Sequence, residues 1–225
     1  MTYTFLLINL FLFLIPIFLT ADKKVFVIEN IKSTLVPSLI VLVIFSEIAV
    51  FLAGIKVWEF NPAYVIGVYY RKLPLEEYLF IFTFSFAGLG IYNYLNAKFP
   101  KNDLQKYSLA LSHALMGVCV AMLFFAYTKW YPAVTFSFLM LLLIGVEYIN
   151  TQRFMYKFYR AFIVVLIPFY ICYAIICNLP ITTYQTSENL GYNLVKIPLE
   201  NHFFMMGMLL LGVYLLEFFK RRKSI

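Results

Sequence analysis

Two short stretches of the sequence carry the same residue types in the same order. Residues 67–76 read Gly-Val-Tyr-Tyr-Arg-Lys-Leu-Pro-Leu-Glu, and residues 191–200 read Gly-Tyr-Asn-Leu-Val-Lys-Ile-Pro-Leu-Glu. Gly, Lys, Pro, Leu and Glu recur at a spacing of 124 residues, and Phe80 with Phe204 and Gly88 with Gly212 keep it. Both copies end on a glutamate, Glu76 and Glu200, and Glu77 follows the first. Acidic residues number only 11, so two at a duplicated position are a concentrated use of them. A carboxyl group inside a membrane is costly and usually marks a pathway or a site. If Glu76 and Glu200 faced each other across an apolar gap, desolvation and like-charge repulsion would hold a proton on at least one of them. That is a general acid beside a base. Tyr78, Phe80, Phe203 and Phe204 follow the motifs, and aromatic faces stabilise a nearby cation. The plain alternative is a helix start at an interface, with Pro at the first position, Glu against the helix dipole and Lys reaching outward. The aromatics would then be packing or lipid contacts.

Other polar residues are few. Glu47 falls near the middle of an apolar run and is the most out-of-place charge in the chain. His113, in another such run, reads as a packed or hydrogen-bonded side chain. Cys119, Cys172 and Cys177 lie in apolar runs without a Cys-x-x-Cys pair, so they read as small buried hydrophobes. No His/Cys/carboxylate cluster has metal-ligand spacing. Gly88-x-Gly90 lacks the third glycine and the preceding strand of a dinucleotide fingerprint.

The elements that hold these residues follow from composition. Apolar residues make up 63% of 225 positions and charged ones 13%; a soluble domain averages about 45–50% and about 25%. Lipid must cover part of such a surface, which predicts an all-α integral membrane protein. Seven apolar runs, 3–20, 34–55, 76–96, 107–128, 131–149, 158–178 and 200–219, predict about seven transmembrane helices. The 124-residue spacing maps the first three runs onto the last three. The expected plan is therefore two parallel three-helix repeats, 1–100 and 131–225, joined by a linker helix within 101–130, as one membrane domain over 1–225. A pseudo-two-fold along the membrane normal would put Glu76 and Glu200 at one depth. Of 18 basic residues, only Lys56, Arg71, Lys72, Lys129 and Lys196 fall in connectors on one side. The rest, including Lys23, Lys24 and Lys220-Arg221-Arg222-Lys223, fall on the other, which predicts a cytoplasmic C-terminus and an outside N-terminus in the cell membrane. The net charge of +7 is spread over these connectors and forms no nucleic-acid patch. With no basic region ahead of it, the first apolar run reads as a retained span rather than a cleaved leader.

These residues also carry a resemblance. The segment Val57-Trp58-Glu59-Phe60-Asn61-Pro62-Ala63-Tyr64, then Gly67 and Leu73-Pro74-Leu75-Glu76-Glu77-Tyr78-Leu79-Phe80, resembles the first-repeat signature of the membrane-integral lycopene cyclases. This is the heterodimer-type family of bacteria, found fused to phytoene synthase in fungi. Ser187-Glu188-Asn189-Leu190-Gly191 and Ile197-Pro198-Leu199-Glu200-Asn201, then Phe203-Phe204, resemble its second-repeat signature, here in the same chain. Tyr3 to Asn9, Pro16 and Lys23-Lys24-Val25 fit the pattern too. The chain departs from it at Ser46-Glu47, where the family has Trp-Asp, and at Glu59, where it often has Gly. Asn201 stands in place of Asp, and Asn93 in place of an acidic residue late in the third span.

The resemblance implies a lycopene β-cyclase, a redox-neutral isomerase of carotenoid biosynthesis that needs no cofactor. An acid protonates the terminal alkene of the linear ψ-end, the neighbouring double bond attacks the resulting tertiary cation, and proton loss leaves a β-ionone ring. Water must be excluded, or it would capture the cation. Glu76 and Glu200 are then expected as the acid/base core, supported by Glu77 and Glu188. Asn61, Asn189 and Asn201 are expected as hydrogen-bonding orienters, and Tyr64, Tyr78, Phe80, Phe203, Phe204 and Glu47 as the substrate's surroundings. The implied partner is lycopene or a similar lipophilic carotenoid in the bilayer, with association with other carotenoid-pathway enzymes an open expectation. A small-molecule transporter with the same repeat plan is the main rival. A retinal protein would need a lysine within the last span, and none precedes Lys220. An assembly role would survive loss of both duplicated glutamates.

Overall fold

The computed structural model describes residues 2–22, 28–101, 105–150 and 152–223. Lys23, Lys24 and Val25 lie outside the described residues. Seven helices form, at Thr4–Leu19 (α1), Ile28–Gly54 (α2), Leu75–Lys98 (α3), Gln105–Ala126 (α4), Trp130–Ile144 (α5), Met155–Asn178 (α6) and Leu199–Lys223 (α7). A π-helical turn, Gly145–Ile149, extends α5. Six of the helices are long and apolar enough to cross a membrane; α1, with 16 residues, is shorter. The protein is thus all-α and multi-pass, and its helices match the seven apolar runs.

The two central helices differ from the rest. In α3 and α7, 78% and 67% of the apolar window is buried, against 22–39% in the other four long spans. α3 packs on α1, α2 and α6, α7 packs on α5 and α2, and the two touch each other. Small residues set these approaches. A Cβ on Gly88 would lie 2.6 Å from Leu209 Cδ1, and one on Gly90 2.9 Å from the Pro16 ring. α4 packs on α5 and α6, beside the second repeat.

The connectors α2–α3 and α6–α7 are copies of one another in hydrogen-bond detail. Each holds a two-residue hairpin, Tyr69–Tyr70 (β2) with Leu73–Pro74 (β3), and Asn193–Leu194 (β5) with Ile197–Pro198 (β6). The turn residues Arg71 and Lys72 have φ of 44° and 72°, and Val195 and Lys196 have 52° and 65°. Positive φ at both central residues is what a tight primed hairpin turn needs. Gly67 and Gly191, at φ 89° and 79°, open each hairpin. Between the connectors, Trp58–Phe60 (β1) pairs antiparallel with Thr182–Tyr184 (β4), Glu59 opposite Thr183. Glu59 and Thr183 are themselves 124 residues apart. A residue pairs directly with its own repeat mate only on the symmetry axis, so the pseudo-two-fold runs through this strand pair. The antiparallel ribbon gives both connector amides internal partners and roofs the helix bundle at this end.

Candidate active site

The duplicated glutamates start α3 and α7 and turn back towards the connectors. Glu76 Oε1 accepts from the Ile66 N–H at 2.5 Å, and Glu200 Oε1 accepts from the Leu190 N–H at 2.5 Å. Both side chains are fully buried, and neither Oε2 has a partner among the described residues. Each carboxyl thus ties a connector to the first turn of the helix behind it. A buried amide would otherwise be unpaired, which costs about 1–3 kcal/mol.

Glu77, one residue on, points elsewhere. It lines a narrow slot under the β1–β4 ribbon, walled by Phe5, Trp58, Phe60, Phe80, Tyr131, Tyr173, Tyr184 and Phe204, with Met205 and Met208 on its deeper side. The slot has about 20 Å³ of free volume, room for about one water. Among its lining residues Glu77 is the sole charged side chain, and its carboxyl makes no hydrogen bond among the described residues. The rings brace one another. Trp58 lies edge-on to Tyr131 at 5.2 Å and to Phe204 at 6.2 Å, Tyr131 stacks on Tyr184 at 6.3 Å, and Phe80 contacts Phe5 at 5.8 Å and Tyr173 at 5.9 Å.

The repeat mate of Glu77 is Asn201, and its amide is spoken for on both sides. Tyr131 Oη donates to Asn201 Oδ1 at 2.6 Å, and Asn201 Nδ2 donates to Tyr184 Oη at 2.6 Å. Burial pushes the Tyr184 phenol above its usual range, so it stays neutral at working pH. Next to Asn201 in α7, His202 is buried between Pro198 O and Tyr170 Oη.

Of the remaining expected site residues, most shape the backbone. Glu188 Oε2 accepts from the Trp130 N–H at 3.3 Å, satisfying a free amide at the start of α5. Asn61 Oδ1 accepts from Ala63 N, starting a 3-10 turn over Pro62–Tyr64, and Asn189 Oδ1 accepts from Gly191 N. Tyr64 packs half-buried at the edge of the core. Tyr78 Oη donates to Tyr70 O at 3.0 Å, and Phe203 packs on Phe136 at 4.9 Å, so neither lines the slot, whereas Phe80 and Phe204 do.

Glu47 requires a correction. It is not an isolated charge: about two turns from the connector end of α2, its exposed side chain pairs with Arg71 at 2.6 Å. The hairpin turn, at positive φ, carries Arg71 down to it. His113 is exposed and bonds to Leu109 O and Tyr148 Oη.

Several slot residues escape a motif search. Phe5, Tyr131 and Tyr173 come from α1, α5 and α6, where each is one aromatic among many. Tyr184 could have been found, since the repeat spacing makes it the mate of Phe60.

No curated protein and no solved structure matches the chain. The sequence model of the family described as lycopene cyclase matches residues 2–95 and again residues 128–219, once for each repeat. That double match covers most of the chain, leaves out the linker helix α4, and shows that the chain belongs to the lycopene cyclase family, the membrane enzymes that cyclise carotenoids.

Proposed function

We propose that the protein is a lycopene β-cyclase that closes carotenoid ψ-ends by general-acid catalysis in the aromatic slot, with Glu77 as the acid. The observation that carries this is one carboxyl group without a hydrogen-bond partner in a wall of rings and methyl groups. Low polarity favours the neutral acid over the carboxylate. Phe80, Trp58, Tyr173 and Tyr184 offer ring faces to the cation that forms when the alkene takes the proton. The β1–β4 roof keeps water from that cation.

Glu76, Glu200 and Glu188 are structural partners of this acid. They fix the connectors that carry the roof and start the helices that carry the walls. Asn61 and Asn189 set the turns, and Asn201 holds two tyrosines. Room for an end group has to be made, and Met205 and Met208, flexible and unbranched, are suited to yielding it. By the distribution of basic residues, the connectors with the slot face outward and the C-terminus lies in the cytoplasm.

Expression in a lycopene-accumulating bacterium, with pigment chromatography, tests the proposal. One or two β-rings on the pigment are expected, and unchanged lycopene beside abundant protein in the membrane would overturn it. A transporter would move a substrate across liposomes without altering it.

A further inference from the structure

The asymmetry between Glu77 and Asn201 bears on how the proton is handled. Ring closure is neutral overall: one proton is added to the end group and one is removed. An acid and a separate carboxylate base are the obvious division of labour in a two-fold site, one from each repeat. This slot does not offer it. Position 201 holds an amide whose oxygen and nitrogen are both engaged by Tyr131 and Tyr184, and Glu76, Glu188 and Glu200 are turned to backbone amides outside the lining.

We infer that a single carboxyl group, Glu77, both delivers the proton and takes it back, with Tyr131 and Tyr184, held by the Asn201 amide, forming a fixed, non-ionising part of the wall. The inference rests on the cyclase assignment above. The chemistry balances on one group. The Glu77 O–H adds its hydrogen to the CH carbon of the terminal double bond, leaving a cation on the dimethyl carbon and a carboxylate on Glu77. The internal double bond attacks the dimethyl carbon, forming the ring bond and moving the cation to the methyl-bearing ring carbon. The carboxylate then removes the hydrogen from the carbon that made the bond, and that electron pair becomes the ring double bond. One carbon–carbon double bond has become one ring bond, and Glu77 is protonated again. The carbon that gains hydrogen and the carbon that loses it are both bonded to the dimethyl carbon. They sit on the same small ring, one atom apart, within reach of the two oxygens of one carboxyl.

The groups facing Glu77 do not supply an alternative base. Tyr131 from α5, Tyr173 from α6 and Tyr184 from β4 are phenols, the α7 side presents Phe204, Met205 and Met208, α1 presents Phe5, and no Lys, Arg or His lines the slot. Phenols ordinarily ionise near pH 10, above the working range.

The test is the pH profile of cyclisation by purified protein in liposomes loaded with lycopene. A single acid that is regenerated each turn gives activity that is full at low pH and falls as pH rises through one ionisation. An acid with a separate ionised base gives a bell. Wild type and the variants Glu76→Gln, Glu188→Gln and Glu200→Gln are expected to share the one-limbed profile, and Glu77→Gln to lose about 100-fold or more. Glu77→Asp is expected to retain cyclisation with the same one-limbed shape. An acidic limb in the wild type that one of the three Gln variants removes would overturn the inference. So would loss of activity in any of those three while its thermal unfolding midpoint stays that of wild type. If wild type forms no ring at any pH, the cyclase assignment fails instead.

Discussion

The two copies of the Pro-Leu-Glu motif differ by one residue that matters. Up to Glu76 and Glu200 they share the same frame: the same hairpin, the same positive-φ turn, and the same carboxyl reaching ten residues back to a connector amide. One position later the first repeat has a carboxyl in the slot, and the second has an amide tied to two tyrosines. The slot itself is drawn towards α1 and α6, where Phe5, Tyr173 and Ile176 line it; their repeat mates Lys129, Ala49 and Leu52 do not. On the mechanism proposed above, what is duplicated builds the frame, and what differs between the copies carries the chemistry. Replacing the frame residues and the slot residue should therefore give different kinds of damage.

The largest effect is expected at the odd position. Glu77→Gln keeps the shape and removes the proton, and loss of a general acid costs about 100- to 10,000-fold in rate. Product formation per unit of membrane-inserted protein measures it, with unfolding temperature unchanged. Activity near wild type in Glu77→Gln would move the acid back to the duplicated pair.

At the duplicated positions the damage should be to stability. Glu76→Ala and Glu200→Ala each leave a buried connector amide unpaired and should lower unfolding free energy by about 1–3 kcal/mol. Glu→Gln retains a carbonyl oxygen for the same N–H and should cost less. Denaturant titration in mild detergent compares the four variants. Equal loss for Ala and Gln would mean that the charge, rather than the hydrogen bond, holds the connector.

Much of this was legible in the sequence, and the limits have physical causes. Helix positions followed from apolar length, because lipid leaves a chain few options. The repeat was visible in Gly67, Pro74 and Glu76 and their mates, since a turn, a helix start and a buried bond each demand a particular residue type. The step that spacing alone could not supply was which carboxyl faces the slot, the recurring one or its neighbour. Spacing shows that Glu76 and Glu200 share a depth, but not that a helix start turns adjacent side chains some 100° apart, so that Glu76 meets backbone while Glu77 meets the slot. The partner of Glu47 was hidden for a related reason: Arg71 is distant in sequence, and only the hairpin brings it near.

Packing between the central helices and their neighbours offers a sharper contrast with the linker helix. Gly90→Ala drives a methyl into the Pro16 ring, which cannot rotate away, and overpacking of this kind costs about 1–3 kcal/mol. Gly117→Ala in α4 meets nothing within 4 Å and should be neutral or slightly stabilising. On the second repeat's side, Tyr184→Phe removes the acceptor of the Asn201 amide and should cost about 1 kcal/mol. It should slow cyclisation far less than Glu77→Gln.

The smallest effect is expected at Glu47, the residue whose position along the chain most suggested a site. Its side chain is 59% exposed and that of Arg71 48%, so the pair lies on the outside of the bundle near the connector end. It does not line the slot. Exposed ion pairs contribute about 0–1 kcal/mol, because both charges remain well solvated and holding two long side chains together costs entropy. Glu47→Gln should leave cyclisation and the unfolding midpoint near wild type, and Arg71→Gln should match it, since each removes the same pair. The double variant then adds nothing to either single one. A loss of activity in Glu47→Gln that Arg71→Gln does not share would give the carboxyl a role of its own, and the division between frame and slot would have to be redrawn to include the connector end of α2.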